Sequence, residues 1–152
     1  MHRLAPPGAD SYSDRYRDAP VYTDVVAEVA RFLASRAARA VELGVRPEGI
    51  LLDPGLGFGK TVEQNLDLIA RTPELVRLGY PVLSALSRKS FVGRVSLGRD
   101  STPSERLPGT LGMSVVHFQT GSSVFRVHDV GEHRGALDAA AGIRGRNDTP
   151  RA

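Results

Sequence analysis

Apolar residues recur along this chain at two different spacings, which predicts helices and strands in alternation. Between Val21 and Leu43 they follow the spacing of one helical face, with charged residues between them. Short uninterrupted apolar runs such as 81–86 are typical of strands that are covered on both faces. The predicted elements are helix 21–43, strand 50–53, helices 62–70 and 72–79, strand 81–86, a short helix after Arg88, a loop at 94–104, helix 110–120, strand 123–127 and helix 131–141.

This order of elements indicates an α/β fold, because helices that alternate with strands produce a parallel sheet with covering helices. Three strands cannot close a barrel, and a (β/α)₈ barrel usually needs roughly 200 residues or more. We therefore expect the 152 residues to form part of a larger architecture. Residues 1–20 are rich in Pro, Gly and polar side chains and predict a loop. Residues 142–152 predict a disordered tail.

The composition excludes several classes of function. A hydrophobic fraction of 41% with 24% charged residues is typical of a globular protein, and the absence of cysteine excludes disulfides and thiolate metal sites. The net charge of +3 is small and the arginines are dispersed, which argues against nucleic-acid binding. No apolar run approaches the length of a membrane span or a signal core, so we expect a cytoplasmic protein without a membrane partner.

Polar clusters follow each of the three predicted strands. They are the glycine-rich segment 53–61, the segment 87–90 and the segment 126–129. Because the carboxyl ends of parallel strands meet at one edge of a sheet, we expect these clusters to form a ligand site there.

The glycine-rich segment resembles the end of a nucleotide-binding P-loop but does not satisfy its pattern. That pattern requires glycine five positions before Gly59, where this chain has Pro54. Proline also lacks the backbone donor that a phosphate cradle needs. We therefore reject a triphosphate-binding loop.

Several segments resemble the dihydropteroate synthase family in their order and spacing, from about residue 20 to residue 140. They read Leu-Asp-Pro-Gly-Leu-Gly-Phe-Gly-Lys-Thr at 52–61, Gly-Tyr-Pro-Val-Leu at 79–83, Ser-Arg-Lys-Ser-Phe at 87–91, Glu-Arg-Leu-Pro-Gly-Thr-Leu at 105–111 and Arg-Val-His-Asp-Val at 126–130. The resemblance implies a transferase of folate biosynthesis that condenses 6-hydroxymethyl-7,8-dihydropterin pyrophosphate with p-aminobenzoate, giving dihydropteroate and pyrophosphate.

The resemblance also implies a TIM (β/α)₈ barrel of which this chain holds the C-terminal portion. Strands 50–53, 81–86 and 123–127 would be the sixth, seventh and eighth. Residues 1–20 would then be a loop with a remnant of strand five, residues 21–141 a partial pterin-binding barrel domain, and residues 142–152 the tail.

The chemistry of four side chains suggests roles in such a site. The carboxylate of Asp53 can accept two donors from an amino-pyrimidine edge, although it could instead cap the Pro-Gly turn. Lys89 suits a pterin carbonyl or ring nitrogen, its alternative being a solvated lysine at a helix start. Arg126 and His128 alternate with a valine and so face one side of the strand end, where they could clamp pyrophosphate.

The family resemblance places Phe58, Ser87 and Arg88 beside p-aminobenzoate, with ordinary core packing as the alternative for Phe58. It implies Mg²⁺ as cofactor, although the family's usual protein ligand for that ion has no counterpart here. It also shows a departure, because Ala85 replaces the usual glycine and adds a methyl group near the pterin.

Substrate-binding groups of the family's first four strands have no counterpart in this sequence. We therefore expect little activity from the chain alone, and a partner in the form of an N-terminal barrel half or a second copy. Two alternatives stay open: a non-catalytic module that binds a pterin or phosphate, and a pterin-binding methyltransferase-type domain.

Overall fold

The computed structural model describes residues 1–3 and 21–147, and within them the chain has an α/β fold. Helices predominate in this part of the chain, together with two short strands. In chain order the elements are α1 (Val25–Glu42), α2 (Val62–Ala70), α3 (Thr72–Val76), β1 (Leu83–Ser84), α4 (Ser90–Leu97), α5 (Leu107–Gln119), β2 (Val124–Phe125) and α6 (Val130–Asn147), with 3-10 turns at Pro47–Gly49 and Ser104–Arg106.

Helix boundaries follow the capping residues more closely than the apolar pattern does. The first helix begins at Val25, four residues later than predicted, because the Asp24 carboxylate accepts hydrogen bonds from Val26 N at 3.0 Å and Ala27 N at 3.1 Å. The helix α2 matches the predicted 62–70 and begins with a capping box, in which the side chains of Thr61 and Gln64 each bind the other's backbone N–H.

The strands are shorter than predicted. Parallel pairing joins Leu83 to Val124 and Ser84 to Phe125, and the predicted strand 50–53 forms only one parallel bridge, from Leu52 to Val82. A strand exists only where a neighbouring segment accepts and donates its backbone hydrogen bonds, so apolar residues outside the paired register stay irregular. The predictions of strands over 50–53, 81–86 and 123–127 were therefore too long. The three segments lie side by side, with 81–86 between the other two.

Residues 1–3 lie beside the 50–53 segment, since His2 N donates to Asp53 O at 2.9 Å. This contact continues the lateral order of the segments on the side away from β1. The rest of the predicted N-terminal loop, residues 4–20, lies outside the described residues.

The core lies between the helices and the sheet segments. Its buried apolar residues are Val25, Val26, Val29, Leu33 and Ala37 of α1, Leu52, Leu56, Leu68, Ile69, Leu75, Val82, Leu86, Phe91 and Val92. Burying such side chains stabilises the fold by about 1.5–3 kcal/mol for each large one. In this core the helices pack against one face of the sheet segments, and this packing positions the strand ends.

Further boundaries differ from the prediction, and α5 begins at Leu107, three residues before the predicted start at 110. The predicted helix 72–79 ends at Val76, and the predicted loop 94–104 begins only after α4, which ends at Leu97 before a left-handed Gly98 (φ +67°). The predicted disordered tail was wrong for residues 142–147, which continue α6. The Arg144 guanidinium lies 5.5 Å from the ring centre of Phe118 on α5, a contact that holds this last part of the helix. Residues 148–152 lie outside the described residues.

Across residues 1–3 and 21–147, the helices are too short or too polar for any of them to cross a membrane.

Candidate functional site

Asp53 lies at the end of the 50–53 segment, and its two carboxylate oxygens have different neighbours. One oxygen accepts a hydrogen bond from Gly55 N at 2.8 Å, which is the turn cap that the sequence offered as an alternative. The other oxygen lies 3.6 Å from the Arg126 guanidinium, although the carboxylate itself is only 10% exposed. The residue therefore caps its turn and still presents an oxygen to the strand ends.

The glycine-rich loop after Asp53 is held from inside by Lys60. This lysine is fully buried, and its Nζ donates to Gly55 O at 2.9 Å and to Phe58 O at 3.1 Å. An ammonium group inside the loop is unlike the lysine of a P-loop, which extends toward phosphate. The geometry agrees with the rejection of a triphosphate-binding loop.

Asn65 holds the same loop from α2, and sequence reasoning missed it. Its Oδ1 accepts from Gly57 N at 2.7 Å, and its Nδ2 donates to Thr61 O at 2.6 Å and to Lys60 O at 3.3 Å. The residue is fully buried. A polar residue on the buried face of a short amphipathic helix was the available signal, since such groups need hydrogen-bond partners.

Phe58 and Lys89 are in direct contact. The Lys89 ammonium lies 3.7 Å from the centre of the Phe58 ring, which is a cation–π geometry. The loop passes over the lysine stem at Gly57 (φ +74°), where an added Cβ would lie 2.9 Å from Lys89 Cδ. The left-handed backbone therefore favours glycine there, and an added methyl group would also force the Lys89 stem to move.

Ser87 and His128 pair across the ends of β1 and β2. The buried Ser87 Oγ lies 3.0 Å from His128 Nδ1 and also accepts from His128 N at 3.2 Å. The hydroxyl therefore fixes both the backbone and the ring of the histidine.

The next residue along each segment forms a second pair. Arg88 and Asp129 make a two-pronged ion pair, with Nε to Oδ2 at 2.9 Å and a second, short bond from Nη2 to Oδ1. Hydrogen bonding to the guanidinium holds the pKa of the Asp129 carboxyl below its usual value. Arg88 has a left-handed backbone (φ +58°), which is uncommon for a residue other than glycine.

An open cavity of about 420 Å³ lies beside these pairs. Its wall is formed by Ser87, Arg88, Lys89, Ser90, Pro103, Arg106 and His128. As far as the described residues go, Asp53, Phe58 and Arg126 are not part of this wall. The predicted site residues are nevertheless connected, because Asp53 contacts Arg126 and Phe58 contacts Lys89.

Metal-binding chemistry has little support in this part of the molecule. Within residues 1–3 and 21–147, no three His, Asp or Glu side chains come together in a way that could hold a metal ion. The described residues therefore do not fit a Mg²⁺ site of their own.

Comparison with known proteins gives one consistent result. The sequence model of the pterin binding enzyme family matches residues 9–128. The dihydropteroate synthase of Escherichia coli (strain K12) is 43% identical over 117 residues, which are 76% of this chain and 40% of that protein. The chain thus spans about two fifths of the length of this curated relative.

Solved structures agree. Dihydropteroate synthase from Xanthomonas albilineans in complex with 7,8-dihydropteroate superposes with a TM-score of 0.80 at 40% identity, covering 87% of this chain and 48% of that one. The Stenotrophomonas maltophilia enzyme, with imidazole bound in its active site, gives a TM-score of 0.85 at 36% identity. The match covers 99% of this chain and 53% of that one. The fold of this chain is therefore similar to about half of these structures.

Proposed function

The chain belongs to the family of pterin binding enzymes, and on this premise we propose that it forms the C-terminal portion of a dihydropteroate synthase site. The segments 50–53, 81–86 and 123–127 are then the sixth, seventh and eighth strands of the TIM barrel. The reaction joins 6-hydroxymethyl-7,8-dihydropterin pyrophosphate to p-aminobenzoate. The observation that supports this proposal is that side chains from all three strand ends contact one another at one edge of the sheet.

Asp53 and Lys89 are the pterin-binding residues in this proposal. The Asp53 carboxylate is nearly buried and keeps one oxygen directed to the strand ends, where it can accept the donors of the amino-pyrimidine edge. Lys89 approaches from the neighbouring strand and offers donors to a ring nitrogen or carbonyl. Ala85, which stands where the family usually has glycine, is buried in the same strand segment.

Arg126 and His128 are the pyrophosphate-binding residues. The Arg126 side chain is 64% exposed and can leave Asp53 for an incoming anion without unfolding anything else. Since Nδ1 of His128 is bound to Ser87, its Nε2 is the nitrogen that can face a phosphate oxygen. Together they would stabilise the negative charge that develops on the leaving group.

Phe58, Ser87 and Arg88 are the p-aminobenzoate-binding residues in this arrangement. Ser87 and Arg88 line the cavity at 87–90, and Phe58 lies outside its wall but contacts Lys89, which is part of it. During the reaction the carbon–oxygen bond to pyrophosphate breaks, the aniline nitrogen bonds to the methylene carbon, and that nitrogen then loses a proton. The residues here supply positioning and electrostatic stabilisation rather than a covalent nucleophile. None of these residue roles involves Mg²⁺, which the described residues do not fit.

The remaining groups of the site must come from elsewhere, since about half of each related structure is not matched by this chain. We propose an N-terminal barrel half as the partner that supplies them, and a second copy of the chain as the alternative. The apolar Val124 of β2 is 38% exposed, which is consistent with a neighbour on that side. Alone, the chain should show no appreciable turnover, because positioning both substrates supplies roughly 7–11 kcal/mol of the barrier lowering.

Calorimetry with two ligands tests the assignments. Arg126→Ala should weaken inorganic pyrophosphate roughly tenfold and 6-hydroxymethylpterin much less, whereas Asp53→Asn should do the reverse. Arg134→Ala is the control, because it removes an equally charged side chain from an exposed pair on α6. Equal losses of both ligands in both variants would refute the division of roles. Binding that is retained without turnover, even with an N-terminal half added, would favour a non-catalytic pterin-binding module.

A further inference from the structure

Two consecutive residues after β1 pair with two consecutive residues after β2. Ser87 binds His128, and Arg88 binds Asp129. Each pair joins the same two strand-end loops, and neither pair can form unless the loops lie in one register. The loop after β1 also carries Lys89, so the pairs connect the proposed pterin side of the site to the pyrophosphate side.

The polar groups of Ser87 are already occupied in this arrangement. Its Oγ accepts from the backbone N–H of His128, so its own hydrogen is available for Nδ1 of the same residue. With this pairing the hydroxyl uses its donor and one acceptor position on a single partner. Ser87 is also 5% exposed, which leaves little of it for a ligand.

Arg88 is engaged through both its side chain and its backbone. Its Nε and Nη2 bind Asp129, its backbone N–H donates to Thr110 Oγ1 at 3.2 Å, and its carbonyl accepts from Arg106 Nη1 at 2.8 Å. These contacts hold a residue in a left-handed conformation that is otherwise unfavourable. An arginine whose fork is bound to a carboxylate on a neighbouring loop is poorly placed to bind the carboxylate of a ligand as well.

The Asp129 side chain is likewise engaged in the pairing of the two loops. It lies directly before α6, where an aspartate commonly caps the helix with its side chain. Here its backbone carbonyl accepts from His133 N at 3.1 Å, and its carboxylate binds Arg88 across the loops. The side chain is 11% exposed, so the ion pair is largely shielded from solvent on that side.

We propose that Ser87 and Arg88 are positioning residues that lock the two strand-end loops together and so fix His128 and Lys89 relative to each other. This inference rests on the proposed function for the identity of the ligands, but the lock itself is a property of the ligand-free chain. Ser87 and Arg88 thus lie beside p-aminobenzoate while their polar groups act on the neighbouring loop. As a consequence, a substitution that loosens one loop should also increase amide exchange in the other loop.

Amide hydrogen exchange on the ligand-free chain tests the lock directly. Lys89 N donates to Leu86 O at 3.0 Å, which makes it a reporter for the first loop, and His128 N reports the second. Asp129→Asn should speed exchange at Lys89, and Arg88→Met should speed it at His128, each about tenfold as expected for losing one charge-assisted hydrogen bond. The double variant should be little worse than either single variant.

The control is Asp138→Asn, which removes a carboxylate from the exposed Arg134–Asp138 pair on α6 and should change neither reporter. Circular dichroism establishes that each variant keeps its helices. Exchange that changes only in the mutated loop, or effects that add in the double variant, would overturn the lock.

Ligand binding separates this inference from the proposed function. Ser87→Ala should weaken inorganic pyrophosphate about fivefold through His128 and leave p-aminobenzoate within twofold, and Ser87→Thr should restore the pyrophosphate affinity. The opposite pattern, with p-aminobenzoate lost and pyrophosphate kept, would show that Ser87 is a direct ligand contact. If wild-type chain binds neither ligand, the proposed function fails while the exchange experiment still decides on the lock.

Discussion

Acidification should destabilise this fold through one buried histidine. His117 lies on α5 with no exposed surface, and its Nδ1 is 3.0 Å from Ser84 Oγ on β1. Its Nε2 is buried and has no hydrogen-bond partner among the described residues. Burial disfavours the charged imidazolium and lowers the pKa of His117 from 6.5 to about 4.

The sign and size of the effect follow from these two values. Below pH 6.5 the unfolded chain binds a proton at this histidine, while the folded chain does not until the pH approaches about 4. The contribution of His117 to the free energy of unfolding must therefore fall as the pH falls through that window, and be level above and below it. At 1.36 kcal/mol for each pH unit, the loss amounts to about 3 kcal/mol.

The substitution His117→Asn isolates this contribution. The asparagine amide can keep the contact with Ser84 but does not titrate, so the variant should lose about 3 kcal/mol less than wild type between pH 7 and pH 4. His2 has a similarly lowered pKa of about 4, but both proteins share it and it cancels in the comparison. Urea unfolding at several pH values, followed by circular dichroism at low protein concentration, measures the difference.

Ser84→Ala is the matched control. It removes the hydrogen bond but keeps the buried histidine, and since burial is the cause of the shift, the pH dependence should remain.

In thermal unfolding the His117 contribution corresponds to a melting temperature that falls roughly 6–12 °C further in wild type than in His117→Asn when the pH is lowered from 7 to 4. An identical pH dependence in wild type and His117→Asn would refute the reasoning.

Two further predictions concern the glycine-rich loop. Gly57→Ala should destabilise the fold by up to about 1 kcal/mol more than Gly79→Ala in urea unfolding, because both glycines have positive φ but only the methyl group added at position 57 would displace the Lys89 side chain. Equal effects would contradict the close approach. Asn65→Ala should cost about 2–4 kcal/mol and speed amide exchange at Gly57, since it removes the side-chain partner of Gly57 N and of the Lys60 carbonyl. A loss below 1 kcal/mol would show that the loop does not depend on Asn65.

Helices were predictable from the sequence where their end signals are local. The bounds of α2 agree because Thr61 and Gln64 form a capping box within four residues. The strands were not predictable in the same way, because their length depends on hydrogen bonds to segments some 40 residues away along the chain. An apolar run such as 50–53 indicates burial but does not reveal how many of its backbone groups find partners.

The candidate site shows the same division. The motifs identified which strand-end residues to consider, and the structure connects Asp53 with Arg126 and Lys89 with Phe58. The pairing of Arg88 with Asp129 could not be inferred, because no local spacing relates residues so far apart. The glycine-rich segment was compared with a P-loop by its pattern alone, and the position of Lys60 inside the loop depends on backbone carbonyls that no side-chain pattern reveals.

The pairs that join the two loops also bear on the order in which the protein folds. Ser87 and His128 are separated by 41 positions, as are Arg88 and Asp129. Closing so large a loop has an entropic cost that a local helix such as α2 does not meet. We therefore expect the strand-end geometry to form late, after α4 and α5 have brought β2 beside β1. A mutation in either pair should then act mainly on the unfolding rate, leaving the folding rate nearly unchanged.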